Sequence, residues 1–212
     1  YSSNESKQTY DFNDVSGEYD AFNAFQSNTI NSSVLKINPT IGLNLQKKNI
    51  RARFNVGPEF VTFKNESDYL GITTPLNENY VFPKITGNLS YTISKSKSIY
   101  SNYDYKVELP LANQILPVLN LSNPLNTYVG NADLKPTKQH SFYLNYNNYN
   151  WQERNGIFFY GGMNIYKDQI VSSTVYDADF KATTTYQNVD SGASSYFGAT
   201  WSKSFKKEKR NL

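Results

Sequence analysis

Residues 34–46 read VLKINPTIGLNLQ. Leu35, Ile37, Pro39, Ile41, Leu43 and Leu45 alternate with Lys36, Asn38, Thr40, Gly42, Asn44 and Gln46. Successive side chains of a strand point to opposite faces, so this stretch predicts a strand with one apolar and one polar side. The pattern recurs. In residues 50–63, Ile50, Ala52, Phe54, Val56 and Phe60 oppose Arg51, Arg53, Asn55 and Glu59, with Pro58 expected to mark a bulge or an irregular end. In 80–94, Val81, Ile85, Leu89, Tyr91 and Ile93 oppose Lys84, Thr86, Asn88, Ser90 and Thr92. Further strands are expected at 99–109, 139–150, 156–172 and 183–205, which makes about seven by the alternation test.

The connections are asymmetric. Short turns fall near Lys47, Lys95, Glu153 and Lys206, and longer polar stretches fall at 64–78, 110–137 and 173–182. Residues 1–33 read as a polar loop or N-terminal extension, with a short strand near Tyr10, and residues 34–212 as the barrel segment. Soluble strands run to about 5–6 residues, whereas a tilted membrane-crossing strand needs about 9–11. Long two-faced strands, short turns on one side and long loops on the other predict an all-β, antiparallel transmembrane β-barrel wall. The turns then face the periplasm and the loops face outside. About seven strands is an odd number, and bacterial barrels close with an even one, so the chain is expected to be a stretch of a larger wall. A complete eight-stranded barrel requires a further strand hidden in 1–33.

Composition agrees. Hydrophobic residues are 38% of the chain and aromatic residues 16%, with 18 Tyr and 13 Phe. A barrel wall needs apolar residues on only half of each strand, and it collects aromatic residues at both interfaces. A mean hydropathy of −0.62 argues against transmembrane helices, not against a barrel. The net charge of +3 is too small to indicate nucleic acid, and with no cysteine there is no disulfide, Cys-based zinc site or thiol nucleophile. The chain starts at Tyr1 without a charged and apolar leader, which suggests a processed chain or a fragment.

Catalysis finds little support. The one histidine, His140, has no Gly-x-Ser-x-Gly elbow and no neighbouring acidic pair to orient it. Glu18 with Asp20, and Asp177 with Asp179, lack the glycine and terminal glutamate of a calcium loop, so no metal site or cofactor is expected. The Asn-x-Ser runs, among them one at Asn88, fit chance in an Asn- and Ser-rich chain. Arg51, Arg53, Lys84, Asp104, Lys106, Glu108 and Asp168 alternate with apolar residues. Basic residues facing lipid at midplane cost about 2–4 kcal/mol each, so this set is expected to face the lumen, pairing across strands, holding a plug or lining a solute path. Tyr69 and Tyr128 are loop aromatics that could touch a substrate or pack loops together.

The segment 116–148, LPVLNLSNPLNTYVGNADLKPTKQHSFYLNYNN, resembles the barrel region of TonB-dependent receptors and the related outer-membrane barrels of Bacteroidota. The resemblance rests on a GN-x-x-LKP run (Gly130, Asn131, Leu134, Lys135, Pro136) followed by Ser141 at the start of a strand. Ala132 and Thr137 stand where the family often has a proline and an acidic residue. Downstream, Tyr166, Lys167, Asp168, Gln169 and Ile170 are similar to a Y-x-D-x-I strand end. Tyr186, Gln187 and Asn188 are similar to a Y-x-N run before an aromatic–glycine strand, here Phe197 and Gly198. The resemblance implies a Gram-negative outer membrane location and a barrel of about 22 strands. It implies uptake of a nutrient or chelate, with the TonB complex and a surface lipoprotein as partners beside outer-membrane lipid. No plug domain or TonB box is visible, and no feature names the ligand. A non-transporting structural or adhesive barrel and a soluble β-rich binding module are the alternative readings.

Overall fold

The computed structural model describes residues 2–117, 119–120, 125–205 and 210–211. Its strands are β1 (Ser2–Lys7), β2 (Tyr10–Asn13), β3 (Glu18–Phe22), β4 (Asn28–Ile37), β5 (Ile41–Gln46), β6 (Ile50–Tyr69) and β7 (Ile72–Ser94). They continue with β8 (Lys97–Glu108), β9 (Leu119–Asn120), β10 (Asn126–Val129), β11 (Thr137–Asn150), β12 (Asn155–Tyr176), β13 (Ala182–Phe205) and β14 (Arg210–Asn211). One helical turn, α1 (Ala112–Ile115), lies in the longest connection. The wall runs β1-β4-β6-β7-β8-β11-β12-β13, with antiparallel neighbours throughout. Among the described residues no ladder joins β1 to β13, so the barrel is not closed. Residues 1–33 are more than a polar loop: β1 pairs with β4, and β2 and β3 form a separate hairpin.

The strand expected at 34–46 is interrupted. β4 and β5 both pair with β6, with Ile37 opposite Phe60 and Ile41 opposite Val56. The gap between them falls at residues 38–40, around Pro39, which lacks a ladder donor. Pro58 is not a bulge in the hairpin that follows. It faces Pro83, and the β6–β7 register runs unbroken on both sides of that pair. The irregularity is on the other edge, where β4 gives way to β5.

The stretches 64–78 and 173–182 are not long loops. β6 and β7 continue to a two-residue turn, with Leu70 and Gly71 both at positive φ (54° and 73°). Such a turn matches the twist of a hairpin. β12 and β13 likewise approach to Tyr176 and Ala182. The physical reason is an inversion of polarity along β6. Up to Phe60 the apolar side chains Phe54, Val56 and Phe60 are all exposed, with Arg51, Arg53 and Asn55 on the opposite face of the strand. Beyond it the outward residues are Thr62, Lys64, Glu66 and Asp68, while Val61 and Phe63 are buried at 2% exposure. A membrane crossing takes about 9–11 tilted residues. β6 has 20, so about half of it stands beyond the lipid. There the outer face meets water and the inner face needs a core.

The connection after β8 supplies that core. Ile115 of α1 and Leu134 pack with Val61 and Phe63, and Val34, Leu76, Tyr80, Phe82, Leu109, Ile170 and Tyr186 close around them. This one cluster joins β4, β6 and β7 to β12 and β13, strands at opposite ends of the order, so the sheet curls around the connection. β10 then pairs in parallel with the start of β13. The short turns at Lys47, Lys95 and Glu153 all lie at the other end. The turn expected near Lys206 falls on residues 206–209, outside those described, although β14 pairs back on β13.

Two substitutions test the sidedness of the wall. Val56→Arg, on the outward apolar row, is expected to lower unfolding stability in lipid vesicles by about 2–4 kcal/mol. Asn88→Arg, on the inner face of β7, is expected to change it by less than about 1 kcal/mol, measured in the same denaturant titration.

Candidate functional site: the inner face and the loop clasp

Six of the seven charged residues singled out from the alternation share one face of the sheet, the face on which Val61 and Phe63 are buried. Lys84 Nζ lies 3.8 Å from Asp104 Oδ1, and Lys106 donates to Glu108 over 2.7 Å. Arg51 and Arg53 sit on β6 close to its turn end, exposed and with no carboxylate partner among the described residues. The alternation missed a further pair on the same face, Lys36 with Glu59 at 3.8 Å, because Lys36 was read only as the polar half of the first strand. Around these charges the inner face is rich in tyrosine, asparagine and serine. Tyr100 and Tyr143 pack with ring centres 6.2 Å apart. Tyr160 lies across Gly198, and Tyr196 lies across Gly162, so that a Cβ at either glycine would strike the ring. The two contacts are reciprocal across β12 and β13, where Tyr160 faces Gly198 and Gly162 faces Tyr196.

Asp168 departs from the set. The alternation places it with Tyr166 and Asn164, but its backbone adopts a positive φ of 55°, which breaks the alternation. Its carboxylate accepts from Lys138 Nζ at 2.8 Å. Lys138 shares the register face of His140 and Phe142, the outward side of β11, above its apolar row. The hydrogen bond from Lys138 holds this carboxyl below its usual range, helped by the charges of Lys138, Lys167 and Lys135 and opposed by burial. His140 also faces outward, where Tyr103 Oη lies 2.9 Å from its Nδ1 and its ring packs on Tyr105. It stands among aromatic rings, with no acid partner among the described residues.

The three motifs that carried the resemblance meet at one place. Asn131 donates its side-chain amide to the Tyr186 carbonyl at 2.9 Å, and its backbone N–H to the Gln114 carbonyl at 2.7 Å. Leu134 is buried in the cluster described above. The Lys135 N–H donates to Asn188 Oδ1 at 2.8 Å, and Asn188 Nδ2 donates to the carbonyls of Lys135 (2.8 Å) and Asp168 (2.7 Å). Thr137 Oγ1 donates to the Asp168 carbonyl and accepts from the Ile170 N–H, each at 3.2 Å. Gly130 backs onto the Leu116 carbonyl so closely that no Cβ fits. The GN-x-x-LKP run is thus a clasp, and the Y-x-D-x-I and Y-x-N runs are the two strand positions it fastens to. Each side-chain amide satisfies backbone groups that a loop on a sheet face would otherwise leave unpaired.

The wall accords with the comparisons. The model of the outer membrane protein beta-barrel family matches residues 1–210. The chain belongs to that family, and it is an outer membrane protein. No curated protein sequence matches it. Among solved structures it is similar to the siderophore receptor PirA of Acinetobacter baumannii, at 12% identity and a TM-score of 0.50, over 97% of this chain and 39% of that one. It is similar to the ferric enterobactin receptor of Pseudomonas aeruginosa at 14% identity and a TM-score of 0.51, over 95% of this chain and 38% of that receptor. PirA of Pseudomonas aeruginosa aligns over 83% of this chain and 40% of its own, at 12% identity and a TM-score of 0.52. At such identities the likeness is one of fold. The chain spans about two fifths of the length of these receptors.

Removing the clasp is expected to loosen the connection without unfolding the wall. Asn188→Ala strands the Lys135 N–H, and limited proteolysis from outside should then cut between residues 110 and 136 faster than in the parent. Leu134→Ala opens a cavity in the cluster, and the expected loss is about 2–5 kcal/mol, read from the thermal transition of the outer half. Because the Asp168 carboxyl is held below its usual range, the Lys138 pair contributes fully above the ordinary carboxylate range. It is lost as pH falls through the lowered value. Asp168→Asn should flatten that acid limb in a pH series of thermal unfolding.

Proposed function

We propose that this chain forms part of the barrel of a TonB-dependent receptor-like importer that takes a nutrient or chelate across the outer membrane. The observation that supports the reading most is the fit of nearly the whole chain onto barrel wall of siderophore receptors more than twice its length. The asymmetry of the wall favours the same reading. Its inner half near the membrane carries paired charges and open hydroxyl and amide groups, and its outer half is filled by a fastened connection. Arg51, Arg53, Lys84, Asp104, Lys106 and Glu108 then line the lumen. Lys84–Asp104 and Lys106–Glu108 neutralise one another, which leaves Arg51 and Arg53, near the periplasmic end, without a carboxylate partner among the described residues. In this reading the ligand is captured at the outer hairpins and released inward under energy from the TonB complex. A surface lipoprotein is a candidate partner on the outside.

The test is uptake by cells carrying the full-length protein. Deletion of the gene is expected to abolish growth on the transported chelate, beginning with ferric siderophores as the sole iron source. Complementation should restore growth only with a functional TonB system. Arg51→Ala with Arg53→Ala should lower uptake several-fold at unchanged surface level. Uptake that survives deletion, or that does not depend on TonB, would sink the importer reading and leave a structural or adhesive barrel.

A further inference from the structure

The hairpin of β2 and β3 is a sheet of its own, and one of its faces is made of rings. Tyr10 stands opposite Phe22, and their rings meet edge to face with centres 5.8 Å apart. Phe12, two residues on, lies on the same face as Tyr10. Strict alternation would turn Tyr19 to the other side. The register shift between Asp11 and Asn13 puts one extra residue into β3, and such a bulge re-aims a side chain. Tyr19 thereby meets Phe12 edge to face at 5.3 Å. The four rings are between 43% and 74% exposed. An aromatic side chain offers about 150–250 Å², so together they leave on the order of 400 Å² uncovered. Apolar patches of that size on a protein surface are often functional.

A two-stranded hairpin is marginal by itself, but this one is fastened at its base. The Thr9 N–H donates to Ser27 Oγ at 3.0 Å and the Thr9 hydroxyl to the Gln26 carbonyl at 3.1 Å. Asn23 Nδ2 donates to Asp11 Oδ2 at 2.9 Å, and Tyr69 Oη, at the tip of β6, donates to the Phe25 carbonyl at 3.0 Å. The ring face is thus held in place before anything meets it, which lowers the ordering cost of binding. It also stands clear of the membrane. The hairpin precedes β4, whose Thr29 lies opposite Asp68, well past Phe60 on β6. From Phe60 to Asp68 is about 27 Å along the strand, or about 20 Å of height at the tilt of such barrels.

Charge selects the occupant. Residues 8–35 hold four acids, Asp11, Asp14, Glu18 and Asp20, and no lysine, arginine or histidine. All four acids are exposed, and none forms an ion pair among the described residues. Asp14 lies in the turn next to Phe12, Glu18 faces Asn13, and Asp20 lies beside Tyr19 in the bulge. Carboxylates around a ring face favour a cation over a neutral sugar and repel a phosphate. Of the two cationic side chains, the flat guanidinium both stacks on rings and forks onto carboxylates.

We propose that the ring face of the β2–β3 hairpin docks an arginine-bearing segment of another polypeptide, with guanidinium groups over Phe12 and Tyr19 and paired with Asp14, Glu18 and Asp20. This docking does not require that the barrel transport anything. It accounts for a bulge that turns a fourth ring onto an exposed face, and for a run of 28 residues, 8–35, with four acids and no base.

The experiment is fluorescence anisotropy of the full-length protein in mild detergent, titrated against a labelled peptide of alternating arginine and glycine. The same peptide with lysine for arginine is expected to bind at least threefold more weakly, and with glutamine at least tenfold. Phe12→Ala with Tyr19→Ala should weaken the arginine peptide at least fivefold. Asp14→Asn with Glu18→Gln and Asp20→Asn, which keeps every ring, should do the same. Asp177→Asn with Asp179→Asn, an acidic pair on the connection from β12 to β13, should leave binding unchanged. If the ring variant disturbs the hairpin, the acid variant decides alone. Equal binding by the parent and the acid variant overturns the proposal, as does an equal loss in the Asp177 and Asp179 variant. A lysine peptide as tight as the arginine one would reduce the site to bare charge and also overturns it. So does binding of maltoheptaose without binding of the arginine peptide, which would make the face a sugar platform.

Discussion

Inside lipid, each backbone N–H and C=O must find its partner on a neighbouring strand, because no water is there to replace it. The rest of this structure follows from that constraint. It makes the ladders long and nearly unbroken: β6 with β7, β11 with β12, and β12 with β13. It also fixes the alternation of faces, since a slip by one residue would turn each apolar row toward the interior. Where the ladder does fail, around Pro39, the chain holds its register and resumes pairing with the same partner strand. Among the described residues no ladder meets the outer edge of β5, or that of β13 between Thr185 and Ser202, and a lipid setting requires further strands there. This agrees with a chain about two fifths the length of the receptors it resembles.

Above the lipid the constraint changes sign. Water can now satisfy the outer face, and the inner face becomes the side that must be covered. The cluster of Val61, Phe63, Ile115 and Leu134 is the answer to that change, and the connection after β8 is ordered because it completes the cluster. The clasp at Asn131, Lys135, Thr137 and Asn188 handles the remaining problem, which is how a loop can cross a sheet face without abandoning its polar backbone. Apolar burial and amide pairing thus divide the task between side chain and main chain.

Much of the wall was legible in the sequence. Six of the seven long strands fell where alternation placed them, because on those segments one face meets lipid and the other does not, and the one expected at 34–46 is split into β4 and β5. What alternation could not show were the outer extensions of β6, β7 and β12. Across residues 61–82 the outward positions include Lys64, Glu66, Asp68, Asn77 and Asn79, the composition of a loop, and the apolar inner positions, Val61, Phe63, Leu76, Tyr80 and Phe82, are explained only once the distant Ile115 and Leu134 are known to lie over them. β1 escaped for a related reason, being a polar strand at an edge. Among the charged candidates, the pairs Lys84–Asp104 and Lys106–Glu108 follow from spacing and register. Asp168 does not, since a left-handed residue breaks the alternation on which its placement was argued. The three motifs marked the right residues, but nothing in their spacing shows that they touch.

The crossed contacts of Tyr160 on Gly198 and Tyr196 on Gly162 have a mechanical meaning. β12 and β13 share a ladder running from Asn155 opposite Lys203 to Tyr176 opposite Ala182, and backbone hydrogen bonds alone would tolerate a shift of two residues along it. After such a shift the ring of Tyr160 would meet Tyr196 or Thr200 instead of bare main chain. The two glycines act as a keyway and the two rings as keys, and together they set the index of the sheet's longest seam while the barrel assembles.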